Sequence, residues 1–181
     1  RNVFVSDEKM MMQRNIRRLL PLIIHQLILS TLKCKAFINE IAYKGSADQC
    51  NGDDWIELFN TGSSEVNLLN YVLHDDKGRD HGNAKTFPDM TMAAGEYKVL
   101  CKGADFNFGI GSSDTITVLD NNGTTLSTAA LPGTGSDDQT YAYFGDTSNY
   151  QYTMTPTPGT VNVYTEPKSL KQQLEEQNDA G

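Results

Sequence analysis

The stretch Asp114-Thr-Ile-Thr-Val-Leu-Asp-Asn-Asn-Gly-Thr-Thr-Leu-Ser-Thr-Ala-Ala-Leu131 decides how this chain folds. Thr115–Leu119 alternates polar and branched apolar residues with the period of two that marks a half-buried strand, and places Ile116 and Val118 on one face. Asp120-Asn-Asn-Gly123 interrupts it before a second such run begins. Asn-Gly tolerates the positive φ that a primed hairpin turn demands, so the spacing predicts an antiparallel hairpin closed by a turn of that kind.

Working outward, runs of the same character recur on both sides. They are FINEIAY (Phe37–Tyr43), WIELFN (Trp55–Asn60), VNLLNYVLH (Val66–His74), KTF (Lys85–Phe87), EYKVLCK (Glu96–Lys102), TYAYF (Thr140–Phe144) and YQYTM (Tyr150–Met154). Strict alternation puts Phe37, Asn39, Ile41 and Tyr43 on one face of the first run, against Ile38 and Ala42. In the second it sets Trp55, Glu57 and Phe59 against Ile56 and Leu58. Asn, Gly, Asp, Ser and Pro clusters separate most runs. Many short strands at this spacing predict an all-β sandwich or barrel rather than a βαβ sheet.

The 181 residues suit one domain with tails. With 15 basic and 23 acidic residues the net charge is −8, unevenly spread. Residues 1–35 hold 7 basic against 2 acidic residues (+5), and residues 36–181 hold 8 against 21 (−13). An acidic body of this kind argues against nucleic acid and anionic membranes as partners. The basic leader reads as an address. After the adjacent Met10, Met11 and Met12 comes QRNIRR, then the apolar run Leu19–Leu32, then Cys34 and Ala36 at small-residue positions before a cut after Ala36. This predicts a signal-peptide-like apolar helix. The alternative is a buried helix presenting Leu19, Leu20, Ile23, Ile24, Leu27 and Ile28. The run is too short, and too broken by Pro21, His25 and Gln26, to predict a stable membrane span. At the other end, TMTPTPGTVN (Thr153–Asn162) suits an extended closing edge segment. Ser169-x-x-Gln172 carries a capping signal for a short helix or polar linker.

In this order the pieces resemble the lamin-tail domain, found in nuclear lamins and in secreted bacterial and algal proteins. INEIA (Ile38–Ala42) resembles its opening strand, and DWIELFNTG (Asp54–Gly62) its Asp-Trp-φ-Glu-Leu-x-Asn strand and turn. VNLLNYVLHDDKG (Val66–Gly78) is similar to a third segment, with Tyr71 where the family has Trp. FPDMTMAAGEYKVLC (Phe87–Cys101), FGIGSSDTITVLDNNG (Phe108–Gly123) and TPTPGTVN (Thr155–Asn162) resemble the rest. The resemblance covers residues 37–163, leaving 1–36 as upstream leader and 164–181 as linker or short helix. It implies an immunoglobulin-like β-sandwich with Trp55, Ile56, Leu58, Phe59, Tyr71, Leu73, Tyr97, Val99, Ile116 and Val118 facing inward. Glu57, Asn60 and Asp114 are motif positions with structural roles.

Three cysteines are an odd count. If Cys34 leaves with the leader, Cys50 and Cys101 remain, and in a sandwich of this type a bridge would tie the loop before DWIEL to a neighbouring strand. Such a loop of about 50 residues is worth about 3–4 kcal/mol in a chain-entropy model. Two free thiols are the alternative, and the signal-like start favours the disulfide. Asn122-Gly-Thr is an N-glycosylation acceptor that the hairpin turn also explains. The densest polar cluster, His74 to His81, offers Asp75, Asp76 and Asp80 as calcium candidates. Asp53 and Asp54, near Asp48, are calcium candidates too, and with Asp137-Asp138 these further acidic pairs either form weak calcium sites or keep the domain soluble. The spacing fits neither a helical His-Glu-x-x-His nor a twelve-residue calcium loop, so a solvated loop is the expectation, with no cofactor. No Ser/His/Asp order, nucleophile elbow or phosphate-cradling loop occurs, so no catalytic residue is expected.

The expectation is a non-catalytic interaction or adhesion module, secreted or on the cell surface, with a protein or glycan partner. Two alternatives are an N-terminal accessory domain of a larger secreted enzyme, of nuclease, phosphatase or spore-coat kinase-like type, and an intracellular nuclear-lamina-like component. Ligand and oligomeric state are open.

Overall fold

The computed structural model describes residues 36–43, 49–136, 138–145 and 147–166, together with Ser169, Gln172 and Asn178. The predicted leader lies outside these residues except for its last residue, Ala36, which is buried and opens the first strand. Among the described residues eleven strands follow in order: β1 (Ala36–Ala42), β2 (Trp55–Asn60), β3 (Val66–Asn67), β4 (Val72–His74), β5 (Lys85–Thr86), β6 (Thr91–Met92), β7 (Tyr97–Cys101), β8 (Thr115–Leu119), β9 (Thr125–Ala130), β10 (Thr140–Phe144) and β11 (Asn149–Thr153). They form a five-stranded sheet ordered β11-β10-β1-β2-β7, a four-stranded sheet ordered β5-β4-β8-β9 and the two-stranded pair β3-β6. Every ladder between these strands is antiparallel. Ile38, Ile41, Ile56 and Leu58 of the first sheet share one buried cluster with Leu73, Ile116, Val118 and Ala129 of the second. Two sheets sealed over such a core make an immunoglobulin-like sandwich. Among the described residues no helix is long and apolar enough to cross a membrane.

Three local expectations need correction. The β8–β9 hairpin forms as predicted, but its turn is not a primed one. Only Gly123 takes a positive φ (80°), with its N–H donating to the Asp120 carbonyl at 2.9 Å. The Asp120 carboxylate accepts the N–H groups of Asn122 and Thr124 at 2.9 and 2.8 Å. A type I turn ahead of a left-handed glycine is the three-residue solution, and Asp120 holds the two asparagines in it. VNLLNYVLH is two strands, because Asn70 adopts φ 64° and the Tyr71 N–H turns back to the Leu68 carbonyl at 2.9 Å. The third correction decides the functional face.

In β1 the register slips between Ile38 and Glu40. Ile38 lies opposite Leu58, yet Glu40 lies opposite Glu57. Asn39 is the extra residue of a β-bulge, and a bulge inverts facing for everything beyond it. Hence Ala36 and Ile38 face the core before the bulge, and Ile41 and Tyr43 after it. Phe37 and Asn39 do not share a face with Ile41. The bulge also exposes the Ile38 peptide groups, and two side chains occupy them. Ile38 N–H donates to Ser127 Oγ at 3.1 Å, and the Tyr150 hydroxyl donates to Ile38 O at 2.6 Å.

Candidate binding groove

Directly opposite residues on paired strands share a face. On the face of the five-stranded sheet turned away from the core, Phe37, Phe59 and Tyr97 form one cross-strand row, and Glu40, Glu57 and Val99 the next. Trp55, Phe59, Tyr97 and Val99, expected inward, therefore belong to this opposite face. Trp55 is fully buried there, whereas Phe59, Tyr97 and Val99 are half-buried. The core takes Ile56, Leu58, Leu73, Ile116 and Val118 instead, with Tyr71 packed against its margin.

The segment 154–165, which takes in most of the Thr153–Asn162 stretch expected along an edge, crosses this second face as a strap. Its ends are fixed beside β11: the Thr153 hydroxyl donates to Val163 O at 2.8 Å, and Met154 N–H donates to Thr165 O at 3.1 Å. Thr157-Pro-Gly-Thr160 makes a type II turn, with Gly159 at φ 85° and Thr160 N–H on Thr157 O at 3.2 Å. That turn aims backbone donors at the sheet. Gly159 N–H donates to Glu57 Oε2. Thr157 N–H donates to the Glu40 carboxylate at 3.1 Å, and the Thr157 hydroxyl to Glu40 Oε2 at 3.1 Å. From β10 the Thr140 hydroxyl donates to Glu40 Oε1 at 2.5 Å. The bulge residue completes the tie. Asn39 Nδ2 donates to Glu57 Oε1 at 2.8 Å, while Asn162 Nδ2 donates to Asn39 O at 3.0 Å and Tyr143 O at 2.8 Å.

Glu40 and Glu57 are thus adjacent, fully buried carboxyls. Burial pushes both above the usual carboxylate range. Glu57 reaches about 7, because burial and the neighbouring Glu40 outweigh the donors Gly159 and Asn39. Folding therefore favours protonated Glu57. Its contribution is fully present below the unfolded value near 4.5 and is lost as pH rises through about 7, at a cost of about 3 kcal/mol. Thermal unfolding should show the native protein losing stability between pH 5 and 8, with a much shallower loss in Glu57→Gln. Identical slopes in the two proteins would sink the assignment.

Beside this network the strap and sheet enclose a groove of about 600 Å³. Six aromatic rings line it: Phe37, Phe59, Tyr97, Tyr143, Phe144 and Tyr164. Phe59 stacks on Tyr97 at 4.3 Å, Phe37 meets Tyr143 edge-on at 4.6 Å, and Tyr164 meets Phe144 edge-on at 5.7 Å. The strap supplies Val161, Asn162 and Tyr164; Val161 is 67% exposed and Tyr164 51%. No lining residue is charged. Residues 37–163, by contrast, hold 17 acidic and 6 basic residues. Of the two, only Glu57 is a motif position in the sequence, although both stand as lone acidic residues inside apolar strands.

The other expected site residues fall elsewhere. Cys50 and Cys101 are bonded, with Cα atoms 5.4 Å apart. Asp54 Oδ2 accepts Ile110 N–H at 2.9 Å and pairs with Lys102 at 3.4 Å. Buried Asp75 accepts the N–H and Nζ of Lys77 at 3.0 and 3.2 Å. Asp53, Asp76 and Asp80 are exposed. Asp48 and Asp137 lie outside the described residues. Among those residues no three His, Cys, Asp or Glu side chains come together as metal ligands would. Asp114 accepts Gly111 N–H at 2.7 Å and orders the entry to β8. Asn122 is exposed on the hairpin turn. Ser169 and Gln172 make the reciprocal capping contact, with Ser169 N–H on Gln172 Oε1 at 2.8 Å and Gln172 N–H on Ser169 Oγ at 3.3 Å.

A disulfide-tied sandwich with an open aromatic groove defines an immunoglobulin-like domain of the protein-interaction class. The sequence profile of the Lamin Tail Domain family matches residues 31–137, more than half of the chain. The chain belongs to that family. No curated protein matches it. The profile ends before β10, so the strap's assignment to the domain rests on its hydrogen bonds to β1 and β2.

Proposed function

We propose that this chain is a non-catalytic interaction module, secreted or displayed at the cell surface, whose aromatic groove docks a basic extended segment of a partner protein. The groove carries the reading. Six rings in a lining that holds no charged residue suit the alkyl stems and cationic heads of Lys and Arg, which rest favourably over aromatic faces. The surrounding acidic body steers such a segment in and repels phosphate-bearing polymers. The bridge between Cys50 and Cys101 fits an oxidising compartment, as a secreted protein requires.

The test is calorimetric titration with nine-residue peptides, Lys/Arg-rich, neutral and acidic, beside a neutral oligosaccharide. The basic peptide should bind, more weakly as salt rises. Phe59→Ala or Tyr97→Ala should weaken it about tenfold, the effect of removing an aromatic anchor. Binding of the oligosaccharide alone, or peptide binding indifferent to both substitutions, overturns the reading. Recovery of the native protein only from cell lysate, with free thiols at Cys50 and Cys101, overturns its secreted half.

A further inference from the structure

We propose that Glu40 and Glu57 form a proton-operated latch that holds the strap down and so controls whether the groove has its second wall. The placement of the pair motivates this. The two carboxyls lie directly opposite each other on β1 and β2, and both are fully buried. The Thr157 N–H and hydroxyl are given to Glu40, and the Gly159 N–H to Glu57. Asn162, two residues beyond the turn, is clasped to Asn39 of the bulge. The same strap supplies Val161, Asn162 and Tyr164 to the groove. One element thus carries both the lid of the carboxyl pair and a wall of the binding surface.

The groups around the pair set the direction of the switch. Facing Glu57 are Glu40 from β1 and Tyr97 from β7. Strand β10 contributes Thr140, and the strap contributes Thr157 and Gly159, none of which brings a positive charge. Among the described residues no Lys, Arg or His is a cause of either carboxyl's shift. Two anions buried side by side without a cation are costly, and the nearest relief is water, which reaches them when the strap lifts. The closed state therefore holds a proton that the open state releases. By linkage, rising pH moves the equilibrium toward the open strap, and Glu57, high when covered, sets the range near neutrality. The structural half of this proposal stands on the geometry of strap and pair. Its consequence for docking rests on the groove being the binding site.

Amide hydrogen exchange on the full chain tests the structural half. The Thr157 and Gly159 amides, normalised for intrinsic exchange, should lose about tenfold or more of their protection between pH 5 and 8. At each pH the Thr157 and Gly159 amides should also be less protected than Ile116 and Val118 in β8, because the strap lifts while the core stays folded. In Glu57→Gln the loss at Thr157 and Gly159 should disappear. The ¹³C carboxyl resonance of Glu57 gives its midpoint in the native protein, should that variant fail to fold. A midpoint in the ordinary carboxylate range overturns the proposal, as does protection at Thr157 and Gly159 equal to that at Ile116 and Val118 throughout, or a loss that persists in Glu57→Gln.

The docking half uses a Lys/Arg peptide without histidine, whose own charge is constant over this range. The latch predicts about tenfold weaker binding at pH 8 than at pH 5 in the native protein. Simple charge attraction predicts the opposite, because the domain grows more acidic. Strap opening on schedule with no peptide bound at either pH leaves the latch intact and removes the groove reading. Peptide bound equally at both pH values, with strap amides unchanged, does the reverse.

Discussion

Replacing Cys50 and Cys101 together by alanine should lower the unfolding free energy by about 3 kcal/mol. The bond joins residues 51 apart in sequence. In a chain-entropy model, closing a loop of that length removes about 4 kcal/mol of freedom from the unfolded chain. A smaller effect of opposite sign comes from the turn that Cys50 occupies. Cys50 and Asn51 take φ values of 55° and 56°, a left-handed pair before Gly52 at 83°. Left-handed backbone is costly for residues with a Cβ, so relaxation of this turn in the variant offsets about 1 kcal/mol. Cys101 ends β7 opposite Trp55, the first residue of β2. The bridge therefore pins the far end of the strand pair whose near end carries Phe59 and Tyr97. Urea unfolding of the oxidised protein and the double variant measures the difference, and a loss below about 1 kcal/mol would mean that the loop is already constrained by other means. A melting point lower by about 6–12 °C is the thermal counterpart for a domain of this size.

How much of this was legible in the residues depends on the range over which each signal acts. The Cys50–Cys101 pair was readable because only one pairing remains once Cys34 is set aside. The hairpin at Asp120–Gly123 was readable in kind, since Asn-Gly marks a turn. Its class was decided by the Asp120 carboxylate, which captures two backbone N–H groups that a rule about the last two residues ignores. The bulge was not readable. Alternation is a local code, and one inserted residue at Asn39 inverts it for everything beyond. What fixes the insertion lies far along the chain: Ser127 and Tyr150 on the freed Ile38 peptide groups, and Asn162 on Asn39. The same limit explains Phe59 and Tyr97. An aromatic residue on a strand declares that its face is covered, not by what. Here the four-stranded sheet covers one face and the strap only part of the other, so the aromatics left over become the groove.

Asn60→Asp should be the more damaging of two substitutions at the corner where the groove's strands turn, costing about 4 kcal/mol or more at neutral pH against about 2–3 kcal/mol for Asn60→Ala. The Asn60 side chain is fully buried. Its Nδ2 group donates toward Ser64 O at 2.9 Å, Met92 O at 3.1 Å and Ala93 O at 2.9 Å, so two hydrogens serve three carbonyls. Its Oδ1 accepts Gly62 N–H at 2.9 Å. The backbone joins in, with Asn60 N–H on Glu96 O at 2.9 Å and Gly95 N–H on Asn60 O at 3.1 Å. One residue thus ties the end of β2 to the turn after it and to the segment between β6 and β7. Alanine removes the donors but leaves carbonyls that a water molecule could serve. Aspartate keeps the shape and the Gly62 contact, yet points an anion at three carbonyl oxygens. Size predicts that aspartate is the milder change; hydrogen-bond polarity predicts the reverse. Folding would raise the new carboxyl above its unfolded value, so its penalty should shrink as pH falls and the side chain becomes a donor again. Urea unfolding at pH 5 and 7, each variant against the native protein at the same pH, separates the two. Equal penalties for Ala and Asp, or an Asp penalty independent of pH, would remove the amide's polarity as the reason this corner holds.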